Sequence, residues 1–253
     1  RYLINSMANL ITIAIDAMGG ENAPNKNIEG VKIFLDKNKK NDFKLNLFGD
    51  EKIINETLLK YKITSNKVIV THTDSVVSDE ETPLTAIKNS KNTSMWNCIQ
   101  SQLNGNSDIS LSAGNTGVLL VVSRMILKMM DRVSKPALAG LWPKKNGVNV
   151  VLDLGANIEC DEKNLIDFAE LGSALYKSLF PNDTAKVSLL NVGSEEIKGT
   201  ELLKSAYKKL QSLENENNFV FKGYTEGNTI MTGESNVIVT DGFTGNIALK
   251  TAE

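Results

Sequence analysis

The sequence predicts an α/β protein: a three-layer α/β/α arrangement with a mainly parallel sheet. Short apolar runs of strand length alternate with longer helix-period segments, the pattern of βαβ units covered on both faces. Five of the predicted strands end in loops rich in Gly, Asn and Asp, where open parallel sheets bind ligands. At 253 residues, the chain is long enough for one large α/β domain or two small ones.

The elements follow in order. Residues 10–15 read as a buried first strand ending at Asp16, and residues 17–24 as a turn in which Gly19 and Gly20 allow unusual dihedrals. Asn25 is the expected cap of a helix reaching Lys39. Residues 43–48 alternate as a strand, 51–61 fit a helix, and 67–71 form a third strand. A short helix over 82–90 enters through Pro83, and a stronger one over 93–103 stops at Asn104-Gly105. Residues 108–111 form a strand, and a long apolar helix runs from Val118 to Met130. Residues 136–141 and 148–152 read as strands, paired through a turn at 144–147. Helices follow at 161–179 and 200–213, strands at 186–191, 219–222 and 237–240, and a last helix begins at Ile247. Residues 1–6 precede Met7 and read as an upstream extension or expression remnant. Residues 7–253 read as a single domain shortened at its C-terminus.

Composition excludes several classes. A net charge of −2 leaves no footprint for nucleic acid, and no apolar run spans a bilayer. The N-terminus lacks a secretory signal pattern, so a cytoplasmic protein is expected. Two cysteines, Cys98 and Cys160, make no disulfide framework or zinc site and are expected as buried thiols. The single histidine, His72, rules out multi-histidine metal centres and reads as a strand-end structural residue. Arginine occurs three times, so an anion site must rely on lysine, amides and backbone N–H groups. No metal and no cofactor are expected, and Gly-x-Gly-x-x-Gly is absent.

Ser112-Ala113-Gly114-Asn115-Thr116-Gly117 follows a strand and precedes a helix, the order that presents bare N–H groups to an anion. Ser112, Gly114, Asn115, Thr116 and Gly117 are the candidate phosphate-binding residues. A second Gly-x-x-Gly turn, Asp241-Gly242-Phe243-Thr244-Gly245-Asn246, repeats the pattern. The run from Asn191 to Gly199 lacks the Gly-Lys-Ser/Thr order of a P-loop, yet Lys198 could bring positive charge to a phosphate or oxyanion. Asp16 and Asp153 end strands. Asp153 reads as a turn cap.

Together these segments resemble the bacterial phosphate acyltransferase family. The ordered matches are residues 13–24 (Ile13-Ala14-Ile15-Asp16-Ala17-Met18-Gly19-Gly20 and onward), 112–117, Pro136-Ala137-Leu138-Ala139, Leu152-Asp153-Leu154-Gly155-Ala156-Asn157, 189–193 with 196–199, and 241–246. Glu21, Lys135 and Tyr224 depart from the family pattern, which has Asp, Arg and Asn there. The resemblance implies a Rossmann-like fold similar to phosphotransacetylase and isopropylmalate dehydrogenase. It implies a cytoplasmic homodimer, peripheral to the membrane, that moves a fatty acyl group from acyl carrier protein to inorganic phosphate. The acyl phosphate would go to a glycerol-3-phosphate acyltransferase. On this reading Lys198, with Asn191 or Asn246, stabilises the oxyanion, and Asp16 orients a positive partner. A nicotinamide-dependent dehydrogenase and a non-enzymatic phosphate-binding module are the alternative readings.

Overall fold

The computed structural model describes residues 10–40, 42–78, 82, 85, 88–213 and 218–253. The chain divides into two compact units, the first ending at Lys128 and the second beginning at Met129.

The first unit runs β1 (Ile11–Asp16), α1 (Asn25–Lys37), β2 (Phe43–Gly49), α2 (Glu51–Lys60), β3 (Val68–His72), α3 (Ser94–Leu103), β4 (Ile109–Ser112) and α4 (Thr116–Leu127). Its sheet has the order β3-β2-β1-β4 and is parallel throughout. Alternation along β1 sorts its side chains between two layers. Ile13 and Ile15 pack with Ile28 and Val31 of α1 and Ile54 of α2. Ala14, one residue out of phase, meets Phe48 and Cys98 of α3.

The second unit runs β5 (Gly140–Lys144), β6 (Gly147–Leu152), α5 (Glu162–Leu179), β7 (Lys186–Leu190), α6 (Glu201–Ser212), β8 (Val220–Thr225), a single 3₁₀ turn (Gly227–Thr229), β9 (Val237–Val239) and α7 (Gly242–Ala252). Its sheet order is β5-β6-β9-β7-β8, parallel except for the β5–β6 hairpin. Val150 and Leu152 join the core under α5 and α6, while Val151 faces the cluster that Ala248 and Leu249 of α7 cover.

Side chains cap most helices as their sequence suggests. Asp50, Thr93, Asp161, Thr200 and Asp241 each accept an N–H from the first turn that follows. Four expectations are corrected. Asn25 is not a cap: α1 starts there behind Pro24, and Asn25 accepts from Lys60 Nζ at 2.9 Å. The strand expected at 136–141 begins only at Gly140, because Pro136 and Leu138 commit their backbone to the loop after β6. The helix expected to reach Met130 stops at Leu127, where Lys128 turns to φ +63°. The last helix starts at Gly242 rather than Ile247, inside what reads as a turn. The short helix expected at 82–90 falls largely outside the described residues. Among the described residues no helix is long and apolar enough to cross a membrane.

Candidate active site

Each unit gathers Gly-, Asn- and Asp-rich loops at the carboxyl ends of its parallel strands. In the first unit β1 and β4 are neighbours, with Asp16 in register with Ser112, so their loops adjoin. Asp16 is only 2% exposed. Its Oδ2 accepts from Ser112 Oγ at 2.7 Å, and its Oδ1 accepts from Met18 N at 3.3 Å. Ser112 Oγ in turn accepts from Gly114 N at 3.1 Å. The hydroxyl's one proton is therefore spent on Asp16, and one lone pair on the turn. The β1 loop packs backbone to backbone on this turn: Gly20, at φ +91°, has no room for a Cβ, which would lie 2.5 Å from Ala113 O. Asn27 of α1 ties the loop from below, donating its side-chain N–H groups to Ala17 O and Gly19 O at 2.9 Å each.

α4 starts at Thr116, and Asn115 caps it by accepting from Val118 N at 3.1 Å. The N–H groups of Thr116 and Gly117 lie in the first turn, where a helix supplies no acceptor and its dipole favours an anion. The five expected phosphate residues thus stand together but divide. Ser112, Gly114 and Asn115 brace the turn, and the N–H groups of Thr116 and Gly117 meet no acceptor among the described residues.

In the second unit β6, β9 and β7 are consecutive in the sheet, which collects the loops at 153–157, 191–199 and the start of α7. Asp153, fully buried, is the hub. Its Oδ1 accepts from the N–H groups of Leu138, Gly155 and Ala156 at 3.0, 3.2 and 3.0 Å. Its Oδ2 accepts from Asn157 N and Nδ2, both at 2.8 Å. The capping role expected of Asp153 is what it performs, on a larger scale than one turn. The glycines of the second Gly-x-x-Gly motif serve close packing: Gly242 abuts Asn157 O and Gly245 abuts Asp153 O, with no room for a side chain at either. Asp241 caps this helix, accepting from Thr244 N and Oγ1 at 2.8 and 2.9 Å.

The loop after β7 carries Lys198 and is closed on itself. Asn191 accepts from Val192 N at 2.9 Å and donates from Nδ2 to Lys198 O at 3.1 Å. Gly199, at φ +95°, fits against that amide. Both polar atoms of Asn191 are engaged in holding the loop. Lys198 Nζ pairs with Glu195 at 2.8 Å on a half-exposed surface. Hydrogen bonding to Glu195 holds the ammonium above its ordinary pKa and Glu195 below its own. Asn246 donates to Leu154 O at 3.3 Å and so belongs to the β6 loop rather than to the Lys198 loop. Asn27 and Glu195 are the residues that sequence reasoning missed. A polar residue in the first turn of an amphipathic helix was the one available signal, and it applies to Asn27 alone.

Neither cysteine is poised to react. Burial, with the Asp16 charge nearby, pushes the Cys98 thiol up to about 12; Cys160, expected as a buried thiol, is only partly buried, and that partial burial raises it as well. His72 ends β3 as expected, accepting from Glu51 N at 3.2 Å and meeting Asp74 at 3.0 Å.

Each unit, taken by itself, is an open, mainly parallel α/β unit whose polar loops collect at the strand ends, where such folds bind ligands. Comparisons with known proteins identify the family. The family described as "Fatty acid synthesis protein" matches residues 11–253. A phosphate acyltransferase of Pelagibacter ubique (strain HTCC1062) is 53% identical over 247 residues, covering 98% of this chain and 73% of that protein. One from Maricaulis maris (strain MCS10) is 37% identical over 98% of this chain and 70% of its own length. The fold is shared with a Streptococcus pyogenes phosphotransacetylase at TM-score 0.68 and 13% identity, covering 97% of this chain and 82% of the other. It is shared too with the EutD phosphotransacetylase of Staphylococcus aureus at TM-score 0.67 and 16% identity, covering 96% and 81%. The chain belongs to the phosphate acyltransferase family and is an acyltransferase of lipid synthesis.

Proposed function

We propose that this chain transfers a fatty acyl group from acyl carrier protein to inorganic phosphate. A phosphate oxygen attacks the thioester carbonyl, the carbon–oxygen bond forms, and the tetrahedral oxyanion collapses. The carbon–sulphur bond then breaks, its electron pair leaving on the pantetheine thiolate. Acyl phosphate is the product. Thiolate is a competent leaving group, so the chemistry asks for an anion seat and for charge near the oxyanion rather than for a protein nucleophile.

One observation carries the reading. The Ser112–Asn115 turn is braced by a buried carboxylate and leads into a helix whose Thr116 and Gly117 N–H groups meet no acceptor among the described residues. Those donors, with the Thr116 hydroxyl, take the phosphate. Asp16 acts on it through Ser112 and not by holding a cation. Lys198 supplies positive charge to the oxyanion, and Asn191 fixes the loop that carries it. Asn246 remains a second amide at the strand ends of the same unit. The raised thiol pKa of both cysteines supports direct attack over an acyl-cysteine route. In the cell the protein would work as a cytoplasmic homodimer at the membrane periphery, passing acyl phosphate to a glycerol-3-phosphate acyltransferase.

The test is phosphate-dependent release of carrier thiol from acyl-acyl carrier protein. Lys198→Ala is expected to lower kcat by about a hundredfold, the usual cost of losing an oxyanion donor. Unchanged turnover would remove Lys198 from the mechanism.

A further inference from the structure

A cavity of about 390 Å³ opens in the second unit beside the Lys198 loop. Its walls include Leu190, Leu203, Ile230 and Ala248, while Asn191, Thr200, Asp241 and Thr244 contribute polar groups. Leu190 and Ile230 belong to the apolar cluster under α7, so the cavity continues the core outward past the strand ends. Its mouth leaves apolar groups in water: Val192 is 81% exposed and Ile247 51%. A mostly apolar hollow with a few polar groups at one end is the usual form of a small-ligand site.

We propose that this cavity receives the fatty acyl chain of the thioester donor. The inference rests on the reading given above, in which the thioester carbonyl lies at Lys198. That carbonyl has two substituents, the sulphur of the pantetheine arm and an alkyl chain. Asn191 and Gly199 hold the two ends of the segment that carries Lys198, and both line the cavity. A chain leaving a carbonyl at that loop has this apolar wall beside it. Each methylene it buries there is worth about fourfold in affinity, so the depth of the cavity sets which donors are preferred.

Gly227 makes this testable. It lines the cavity, and a Cβ built on it meets nothing within 4 Å. Its φ lies outside the left-handed range, so other residues fit its backbone. Gly227→Leu therefore places its Cβ in open space on the cavity wall. Ala248→Leu adds bulk from a different element, on the wall that joins the apolar cluster of Leu190 and Ile230.

Both variants are assayed with octanoyl- and palmitoyl-acyl carrier protein, with thermal melts as the check on folding. The expected result is a fall of tenfold or more in kcat/KM for the palmitoyl donor, with the octanoyl donor within twofold of the parent. Equal losses for both donors would assign the cavity to the pantetheine arm and overturn the proposal. No loss for either, with or without a change in oligomeric state, would overturn it as well. If the parent protein released no thiol in a phosphate-dependent way from either donor, the underlying reading would fail first and take this one with it. If one variant melted early, the other would decide. If both did, competition by free palmitate against octanoyl donor, expected to exceed competition by octanoate tenfold, would replace them, and equal competition would overturn the proposal.

Discussion

Asp153 offers the sharpest stability prediction, because one buried carboxylate organises the loop after β6. Five N–H groups converge on it, three on Oδ1 and two on Oδ2. Asp153→Ala removes every acceptor at once. Gly155 is exposed and can turn to water, but Leu138, Ala156 and Asn157 are partly buried. With about 1–3 kcal/mol for each donor left dry, the loss comes to about 4 kcal/mol. That is a large share of the total stability of an ordinary domain. Asp153→Asn keeps an oxygen for the three donors on Oδ1 and turns an NH₂ toward the two from Asn157, so it is expected to cost about 2 kcal/mol. The assay is urea unfolding followed by tryptophan fluorescence. The two tryptophans fall in different units: Trp96 on α3, and Trp142 on β5 in the same cluster as Leu154. In a Trp96→Phe background Trp142 reports the second unit alone. With a slope of about 2 kcal/mol/M, Asp153→Ala should move the midpoint down by about 2 M and Asp153→Asn by about 1 M. A midpoint for Asp153→Ala within about 0.3 M of the parent would refute the hub assignment.

Further expectations concern the first unit and the thiols. Asp16→Ala should raise KM for phosphate at least tenfold, while Asp16→Asn, which still accepts from Ser112, should retain most of the affinity; the same loss in both would mean that charge rather than the hydroxyl is what Asp16 contributes. Gly20→Ala should destabilise the first unit, since its Cβ would meet Ala113 O and its φ is left-handed; an unchanged Trp96 transition would contradict the close approach. With Cys98 buried and pushed up to about 12, iodoacetamide at pH 8 should leave it unlabelled in the folded protein and label it in urea; rapid native labelling of Cys98 would overturn the burial argument. Because Lys198 titrates above its ordinary value, its contribution should persist across neutral pH and fade only in strong alkali; loss of the Lys198-dependent rate near pH 8 would contradict its pairing with Glu195.

Much of this was legible from residues in order. Apolar runs located the strands, and Thr93, Asp161 and Thr200 marked helix starts, because both signals are local. The failures share a cause. Pro136-Ala137-Leu138-Ala139 has strand composition, but Leu138 N donates to Asp153 and Leu138 O accepts from Leu154 N at 2.9 Å, so no ladder forms. Gly242 and Gly245 look like turn glycines, yet they sit in a helix whose neighbour approaches too closely for a side chain. The division of the strands into two sheets leaves no mark, since βαβ alternation reads the same in both units. In the candidate site, the loops are legible in the sequence but the partners of their side chains are not. That Ser112 spends its proton on Asp16, and that Asn191 spends both polar atoms on its own loop, depends on partners distant in sequence or on loop closure.

The central claim is that phosphate itself attacks the thioester. Single-turnover thiol release, with protein in excess over acyl-acyl carrier protein, tests it most directly. Without phosphate, no thiol should be released and no acyl group should appear on the protein by intact mass. On adding phosphate, thiol and acyl phosphate should appear one for one. A burst of thiol before phosphate is added, with the acyl group carried on Cys98, Cys160 or any other side chain, would contradict it.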